Sequence, residues 1–307
     1  MTGSAERVAE HGLRWLENNL EWFEPARWER FLPPRRFRAA PLLELLILVR
    51  LLRGGPHAER AERIGTAAHR AAEVVCAETG FHDELSRGGP AFAYHAHLVA
   101  LLTDAGRAPA RARSLVQAVL DTGTGELFAA DRPALNRLEL RYVLDLGGFD
   151  RSGYRTDQSH RNSVLTTRQG PLSFADDEVY ALTHVLFYLS DFGSRPVSGS
   201  DLADREKAGR TVSVLLGACL ARDDLDLAGE LLLCADILGV HCRGLVEHGW
   251  QRIASAQRAD GAVPSPLHDS AVLSKVDGDK RAAYLFGTCF HTTMVAVMAA
   301  SGRASRG

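Results

Sequence analysis

The sequence predicts an all-α protein made of repeated helical hairpins in a single domain, residues 1–307. Nearly every apolar segment repeats its apolar residues with the roughly 3.6-residue period of an amphipathic helix. Strand signals are nearly absent, because no segment combines alternating apolar and polar residues with an enrichment in β-branched ones. Short Gly- or Pro-containing turns separate the apolar segments, which is typical of helices joined into hairpins. We therefore expect about eleven helices.

The composition is that of an ordinary globular protein, and it argues against several function classes. Hydrophobic residues make up 46% of the chain and charged residues 24%, enough for a sizeable core. A net charge of −2 argues against a nucleic-acid partner, which would require a basic surface. Five cysteines without a recognisable secretion signal indicate a reducing, cytoplasmic location. The most apolar run, 41–52, is too short to cross a bilayer and contains Glu44 and Arg50, so we expect a buried helix and no membrane partner.

Six helices are predicted before residue 150 and four near the C-terminus, in addition to the central helix described below. The first six span residues 8–23, 41–53, 57–79, 91–105, 109–120 and 133–146. Prolines and glycines such as Pro25 and Gly147 end them, since proline lacks the amide hydrogen and glycine adopts the left-handed conformation common at helix ends. The last four span 201–221, 224–238, 242–257 and 281–300. The acidic stretch 223–226 is interpreted as a cap and first turn.

Residues 149–170 interrupt the helical pattern and are predicted to line a pocket or to act as a lid. The segment is polar and has little apolar periodicity. A loop of about twenty residues inside a compact domain is uncommon and often functional. His160 and Arg161 are candidate substrate-binding residues in this loop, because a guanidinium can pair with an anionic group. Disorder is the alternative interpretation of the same composition.

A helix over 173–192 carries the most informative pattern in the chain. Ser173 is the expected N-cap, the acids at 176–178 complement the helix dipole, and Gly193 is the expected stop. One face is an apolar stripe that consists of Val179, Leu182, Val185, Leu186 and Leu189. A second stripe is polar and consists of Asp177, His184, Tyr188 and Asp191. Polar residues on an otherwise apolar helix need partners, so this stripe predicts a pocket.

The polar stripe also supplies candidate catalytic residues. Asp177 and His184 lie two helical turns apart on one face and can share a proton or a metal ion. Tyr180 and Tyr188 are predicted to hold or protonate the substrate, and Asp191 is predicted to bind it. The alternative is an acidic helix start followed by a histidine that is hydrogen-bonded within the core.

Three short motifs resemble parts of α/α-toroid proteins, namely terpenoid cyclases, protein prenyltransferases and lanthipeptide cyclases. Gln257-x-x-Asp260-Gly261 is similar to the end of their repeat, although Ala262 stands where an aromatic residue usually follows. The segment 11–16 looks like the start of an inner helix, and 289–293 looks like the Cys/His-containing start of the last one. The resemblance implies an α/α toroid, a barrel of helices around a central cavity. A generic array of helical repeats is the alternative.

The toroid resemblance also implies a metal ion in the central cavity. Protein prenyltransferases use Cys, His and Asp ligands, and the candidate ligands in this chain are Asp177, His184, Cys242 and His291. A thiolate, an imidazole and a carboxylate form a common zinc set with an open position, which favours zinc over iron. No nucleotide cofactor is expected, because the chain has no Gly-rich phosphate loop and no dinucleotide fingerprint.

These observations lead to one predicted function and two alternatives. The predicted function is a metal-dependent enzyme that acts on a small molecule or peptide in bacterial specialised metabolism. The first alternative is a non-catalytic helical scaffold that binds a peptide or protein in its concave cavity. The second is a prenyl or terpenoid cyclase or transferase, since Asp176-Asp177-Glu178 looks similar to part of an acidic diphosphate-binding motif. The segment 180–184, Tyr-Ala-Leu-Thr-His, resembles the signature of an uncharacterised bacterial family of actinobacterial type, and a homodimer is compatible with a helical chain of this length.

Overall fold

The computed structural model describes residues 3–122, 132–150, 170–198, 202, 204–240 and 242–304, and no β-strand lies among them. The predicted all-α class is confirmed for this part of the chain. Its fourteen α-helices are α1 (Gly3–Asn18), α2 (Pro25–Trp28), α3 (Ala40–Leu51), α4 (Ala58–Ala77), α5 (Thr79–Ser86), α6 (Phe92–Asp104), α7 (Ala110–Asp121), α8 (Ala134–Gly147), α9 (Asp176–Ser190), α10 (Arg205–Ala221), α11 (Leu225–Leu238), α12 (Arg243–Ala256), α13 (Ser270–Leu273) and α14 (Gly278–Ala304). Each of the eleven predicted helices overlaps one of them, and the short α2, α5 and α13 are additional.

The central helix, α9, is shorter than predicted at both ends. It begins after Ala175, whose backbone amide donates a hydrogen bond to the Glu178 carboxylate at 3.0 Å. Ser173 is therefore not the N-cap, as the sequence suggested, but lies in a 3-10 turn where its hydroxyl donates to a backbone carbonyl. At the other end Asp191 adopts a left-handed φ of 50° and ends the helix two residues before the expected glycine.

Six helices form a closed ring, and each ring helix packs against the ring helix that follows it in the sequence. α3 packs on α6, α6 on α8, α8 on α9, α9 on α11, α11 on α14, and α14 returns to α3. Three of them, α3, α6 and α11, are buried around most of their circumference, as expected of apolar helices enclosed by others. The ring therefore brings helices from both halves of the described chain around one interior.

Most of the remaining long helices pack on the outside of this ring. α4 lies on α3, α10 and α12 lie on α11, and α1 lies on α14 and α12. The contact between α1 and α14 is close, because a Cβ atom at Gly12 would lie 2.7 Å from the Cγ2 atom of Val297. The segment 11–16, which resembles the start of an inner helix, thus belongs to an outer one.

The motif that resembles a repeat end joins α12 to α1. The side-chain amide of Gln257 donates hydrogen bonds to the carbonyls of Val8 and Gly261, at 3.1 and 2.9 Å. Gly261 has a φ of +102°, and a Cβ atom there would lie 2.2 Å from the carbonyl oxygen of His11. Only glycine fits this conformation and this approach. The motif therefore fixes one outer helix against another.

An ion-pair network ties ring helices together where α3, α6 and α9 end. Arg50 on α3 donates to both carboxylate oxygens of Asp191, at 2.7 and 2.9 Å. The hydroxyl of Tyr142 on α8 donates to the same carboxylate at 2.9 Å. Asp104, the last residue of α6, lies 3.4 Å from Arg50 Nε. The carboxylate of Asp191, predicted to bind substrate, is thus held in contacts between ring helices.

Among the described residues, one helical segment is long and apolar enough to cross a membrane by length and composition, and it lies within α14. Of its most apolar window, 67% is buried inside the protein, and the buried core helix of a globular protein passes the same test. The apolar character of α14 is accounted for by its position in the ring, where it packs against α1, α3 and α11.

Candidate functional site

A pocket of about 180 Å³ lies inside the ring, and all six ring helices contribute side chains to its wall. Its aromatic wall consists of Tyr94, Tyr180, Phe187, Tyr188 and Phe192. Its acidic and histidine side chains are Glu44, His97, Glu139, His184, Glu230 and His291. The other lining residues are mostly Leu, Ile, Val and Met. Such a mixture of apolar surface with a few convergent polar groups is typical of small-molecule sites.

A cluster of carboxyl groups surrounds one histidine on the α11–α14 side of the pocket. The Nδ1 atom of His291 lies 2.9 Å from Asp226 Oδ1, and its Nε2 atom lies 3.9 Å from Glu230 Oε1. The hydroxyl of Thr292 donates a hydrogen bond to the same Asp226 oxygen. The hydroxyl of Thr183, on α9, donates to Glu230. Three ring helices thus meet at this cluster, which we call the acid–histidine cluster.

Electrostatics set the protonation states within the acid–histidine cluster. Burial alone lowers the pKa of His291, but the negative charge around it, chiefly that of Glu44 and Asp226, outweighs burial and raises the pKa to about 10. Burial raises the pKa of Asp226 less than its contacts with His291 and Thr292 lower it. These two residues therefore form an ion pair. Burial raises the pKa of Glu230 to about 8, because His291 and Thr183 offset only part of the desolvation, so Glu230 is mostly a neutral acid at pH 7.

Two buried polar atoms of the pocket residues have no hydrogen-bond partner among the described residues. They are Glu44 Oε2 and His97 Nε2. Burial raises the pKa of Glu44, although the charge of His291 offsets part of the rise, and burial lowers the pKa of His97 to about 3, which keeps its ring neutral. Buried polar atoms are normally paired, so two unpaired ones in a single pocket are a sign of a site that a ligand completes.

A second acid lies across the pocket, on α8. The hydroxyl of Tyr188 donates a hydrogen bond to Glu139 at 3.0 Å. Burial raises the pKa of Glu139 to about 7, and this hydrogen bond offsets part of the rise. Both residues are buried. Glu139 therefore exchanges a proton near neutral pH while it remains aligned by Tyr188.

His184 is a neutral ring held in one tautomer. Its Nδ1 atom lies 3.0 Å from the carbonyl oxygen of Tyr180, which can only accept, so the hydrogen is on Nδ1 and Nε2 keeps its lone pair. Burial lowers the pKa of His184 to about 3. The Tyr180 ring stacks on the imidazole with centroids 3.8 Å apart, and 44% of Tyr180 is exposed. Tyr180 thus covers His184 at an open side of the pocket.

The structure brings together four of the residues that the sequence analysis proposed for the site. Tyr180, His184, Tyr188 and His291 all line the pocket. Asp177 does not: it is exposed in the first turn of α9, where it accepts a hydrogen bond from the next backbone amide. Cys242 is exposed at the start of α12, outside the ring. Asp191 is held by Arg50, as described above.

The predicted metal set is therefore not assembled as proposed, since of its four residues only the two histidines face the pocket. Within the described ranges, no group of three or more His, Cys, Asp or Glu side chains is arranged to hold a metal ion. His160, Arg161 and most of the predicted lid, 151–169, lie outside the described residues.

Sequence reasoning missed the acids Glu44, Glu139, Asp226 and Glu230. Asp226 was interpreted as part of a helix start, and its neighbour Asp224 does accept from Leu227 N at 3.1 Å. Glu44 was noted only because it interrupts an apolar run. The available signal was a carboxyl flanked on both sides by uncharged, mostly apolar residues. Glu230 is an example, since it lies between Leu227-Ala228-Gly229 and three leucines.

No curated protein and no solved structure matches this chain. One family model does match it, over residues 9–301, and its description is that of a domain of unknown function, DUF6895. The match covers all six ring helices that form the pocket except the last residues of α14. The chain belongs to the DUF6895 family.

Proposed function

We propose that this protein is an enzyme that binds a small organic molecule in the ring pocket and transfers a proton to or from it. The observation that carries this proposal is the convergence of Glu44, Glu230 and His291, from three helices, on a pocket with an aromatic wall. Structural ion pairs need no cavity beside them. Acids whose pKa values are raised toward neutral in such a cavity are the usual sign of proton-transfer chemistry.

The polar groups that α9, α11 and α14 contribute to the pocket suggest different roles in proton transfer. Glu230, whose pKa is raised to about 8 by burial, exchanges a proton with the bound molecule: it serves as general acid when protonated and as general base when ionised. Nε2 of His184, with its free lone pair, serves as an acceptor for a substrate hydrogen bond. His291, held by Asp226 through Nδ1, remains cationic and can donate a hydrogen bond from Nε2 to the bound molecule.

The size of the pocket favours a small molecule over a peptide or protein. An apolar cavity of about 150 Å³ takes up one benzene molecule in another protein. The pocket here has a volume of about 180 Å³, so it suits an occupant only slightly larger than benzene. A peptide segment would need space beyond the described pocket.

We also propose that the ring is an α/α toroid. Two features support this. The six ring helices follow one another around the ring in chain order, and the last packs on the first. In addition, Gln257 and Gly261 of the motif that resembles a toroid repeat end bind to α1. Such an arrangement places the functional groups inside the ring, which is where the acid–histidine cluster lies.

The proposal is tested with a library of neutral, anionic and cationic fragments of about five to ten heavy atoms, screened by ligand-observed NMR. We expect hits that compete with one another and that are lost in Tyr180→Ala, which removes the exposed part of the aromatic wall. Leu267→Ala is the matched control, because Leu267 is 80% exposed and does not line the pocket. The absence of any hit that depends on Tyr180 would refute binding in the pocket.

Catalysis is tested separately by incubating each hit in D₂O with the protein. Deuterium exchange at carbon in at least one hit, reduced at least about tenfold by Glu230→Gln, supports proton transfer. Binding in the pocket without exchange in any hit would leave a binding protein and refute the enzyme. Elemental analysis of protein purified without chelator tests the zinc and iron hypothesis in parallel: about one equivalent that is lost in His184→Ala would support a metal site after all.

A further inference from the structure

We infer that the pocket takes an organic cation, an ammonium group on a small apolar or aromatic body, and that the ammonium lies between Glu44 and Glu230. This inference rests on the proposed function, because it assigns a substrate class to the same pocket. It depends on three independent observations: the balance of acids and cations around the pocket, the unpaired carboxyl oxygen of Glu44, and the aromatic wall.

The acids outnumber the cations in the pocket. Three carboxyl groups line it, those of Glu44, Glu139 and Glu230, and His291 is the one lining residue in the described chain that carries positive charge. Asp226 already neutralises His291 through the 2.9 Å contact. Placing carboxylates in a buried site without cations is unfavourable, so burial raises the pKa of each of these acids, and Glu230 mostly keeps its proton in the free protein at pH 7. A bound cation would replace that proton.

The remaining ionisable groups around the cluster do not supply that cation. The ionisable groups that face it are Tyr94 and His97 on α6, Glu139 on α8, Tyr180, His184 and Tyr188 on α9, and Asp226 on α11, and two arginines outside the pocket lining, Arg35 before α3 and Arg132 before α8, act on Glu44 and Glu139. The histidines on α6 and α9 are neutral, because burial lowers the pKa of each to about 3. The Arg35 guanidinium acts on Glu44 from a distance, and it lies over the rings of Trp28 and Phe290, at 5.6 and 5.1 Å.

The unpaired atoms match the donors of an ammonium group. Glu44 Oε2 is buried and has no hydrogen-bond partner among the described residues. Glu230 Oε1 faces His291 at 3.9 Å, beyond hydrogen-bond distance. An ammonium carries up to three N–H donors and no acceptor, so it can satisfy carboxylate oxygens that a carboxylate ligand would repel.

The aromatic wall fits the same ligand. Tyr94, Tyr180 and Tyr188 line the pocket beside the carboxyl groups. The face of an aromatic ring attracts a cation within about 6 Å of its centre, and this attraction grows when both are removed from water. Met294 and Met298 provide an adaptable apolar surface for the body of the ligand. At about 180 Å³, the pocket has room for one six-membered ring with a short amine arm.

Binding of a cation should release protons from the acids. The charged form of Glu230 becomes favourable only when the ammonium is present, so the bound protein holds fewer protons than the free protein near pH 7. The affinity for an amine that stays protonated should therefore rise with pH, by at least about tenfold between pH 6 and pH 8. A neutral ligand of the same shape should show neither effect.

The test is isothermal titration calorimetry with benzylammonium, benzyl alcohol and phenylacetate, which share a ring and differ in charge. We expect benzylammonium to bind at least about tenfold more tightly than the other two, since a hydrogen bond between charged groups contributes about that factor. Measurements in phosphate and in HEPES, which differ in ionisation enthalpy, should show release of about 0.5 to 1 proton per ligand at pH 7.

Charge variants identify the residues responsible. Glu44→Gln and Glu230→Gln keep the side-chain volume and should each weaken benzylammonium binding at least about tenfold, with reduced proton release in Glu230→Gln. Glu24→Gln is the matched control, because Glu24 is exposed and makes no capping hydrogen bond. Circular dichroism confirms that each variant is folded before it is titrated.

Several outcomes would overturn the inference. Phenylacetate or benzyl alcohol binding as tightly as benzylammonium, binding of none of the three, or binding that both Glu→Gln variants leave unchanged would each do so. Displacement of benzylammonium by Zn²⁺ or Mg²⁺ at micromolar concentration would assign the cation site to a metal and overturn it as well. If only neutral or anionic library fragments bind in a Tyr180-dependent way, binding in the pocket stands while this inference fails; if no fragment does, both fail.

Discussion

Replacing Glu230 by glutamine should flatten the dependence of stability on pH. Burial raises the pKa of the Glu230 carboxyl from 4.5 to about 8 in the folded protein, whereas the unfolded chain releases the same proton near 4.5. Between these values the folded state holds more protons than the unfolded state, so the free energy of unfolding decreases as pH increases. The stabilisation is complete below pH 4.5 and is lost as pH increases through 8.

The size of the effect follows from the shift. One pKa unit corresponds to about 1.4 kcal/mol, so Glu230 alone should cost about 3 kcal/mol of stability between pH 4 and pH 7 and about 1 kcal/mol more by pH 8. Glu230 is only 1% exposed, so solvent does not screen this effect. Glutamine cannot ionise, and its amide oxygen can still accept the hydrogen bond from Thr183.

Urea unfolding followed by circular dichroism at pH 5, 6, 7 and 8 measures the effect. The difference between wild type and Glu230→Gln isolates this residue, because other buried acids such as Glu139 contribute to both proteins. Glu24→Gln, at an exposed site, should give a curve parallel to that of wild type. If the curves of wild type and Glu230→Gln were parallel within about 0.5 kcal/mol over this range, the pKa of Glu230 would not be raised by burial, and the proposed protonation of the acid–histidine cluster would be refuted.

Three further predictions concern parts of the molecule outside the pocket. Asp191→Asn should lower the free energy of unfolding by about 2 kcal/mol in a urea titration, because it removes the charged hydrogen bonds from Arg50 and leaves Asp104, at 3.4 Å, as the remaining carboxylate beside the guanidinium; an unchanged midpoint would contradict a clamping role. Gly261→Ala should lower it by more than about 2 kcal/mol, because φ is +102° and the new Cβ would lie 2.2 Å from a carbonyl oxygen of α1, whereas Gly244→Ala, in open space on α12, should change it by less than about 1 kcal/mol. Cys242 is the one exposed thiol of the five, so a single equivalent should react rapidly with a thiol reagent and disappear in Cys242→Ser; two fast equivalents would refute the described burial.

The helices could be predicted from the sequence because helical periodicity is a local property. The end of α9, in contrast, could not be predicted from local sequence. Gly193 is the residue that local rules select to end the helix, yet Asp191 takes the left-handed conformation, since Arg50 and Tyr142 hold its carboxylate. Those partners are 141 and 49 residues away in sequence. Contacts over such separations depend on how helices pack, which periodicity does not reveal.

The site was predicted only in part for the same reason. The polar stripe on α9 identified His184 and Tyr188, because a polar residue on a buried helix needs a partner wherever that partner lies. Asp177 belongs to the same stripe by its spacing, but it lies in the exposed first turn and does not reach the pocket. Asp226 is the opposite case, an acid that was not predicted to belong to the site. Its place in the first turn of α11 suggested a role at the helix end, but the ring turns it toward His291 on α14.

The acid–histidine cluster is difficult to explain as a stabilising feature of the fold. If Glu230→Gln proves more stable than wild type at pH 8, the carboxyl reduces stability at a position where glutamine would fit. Buried ionisable groups are often replaced by uncharged ones at no cost to folding, so structural need alone does not account for several acids at the centre of one ring. Such local costs are common where a site is arranged for chemistry or binding. A ligand that supplies the missing cation would recover the lost stability, so benzylammonium should raise the melting temperature of wild type more at pH 8 than at pH 6. The rise in melting temperature that the same ligand causes in Glu230→Gln should depend much less on pH over that range. An equal pH dependence of this rise in both proteins would contradict a link between the buried acid and the ligand.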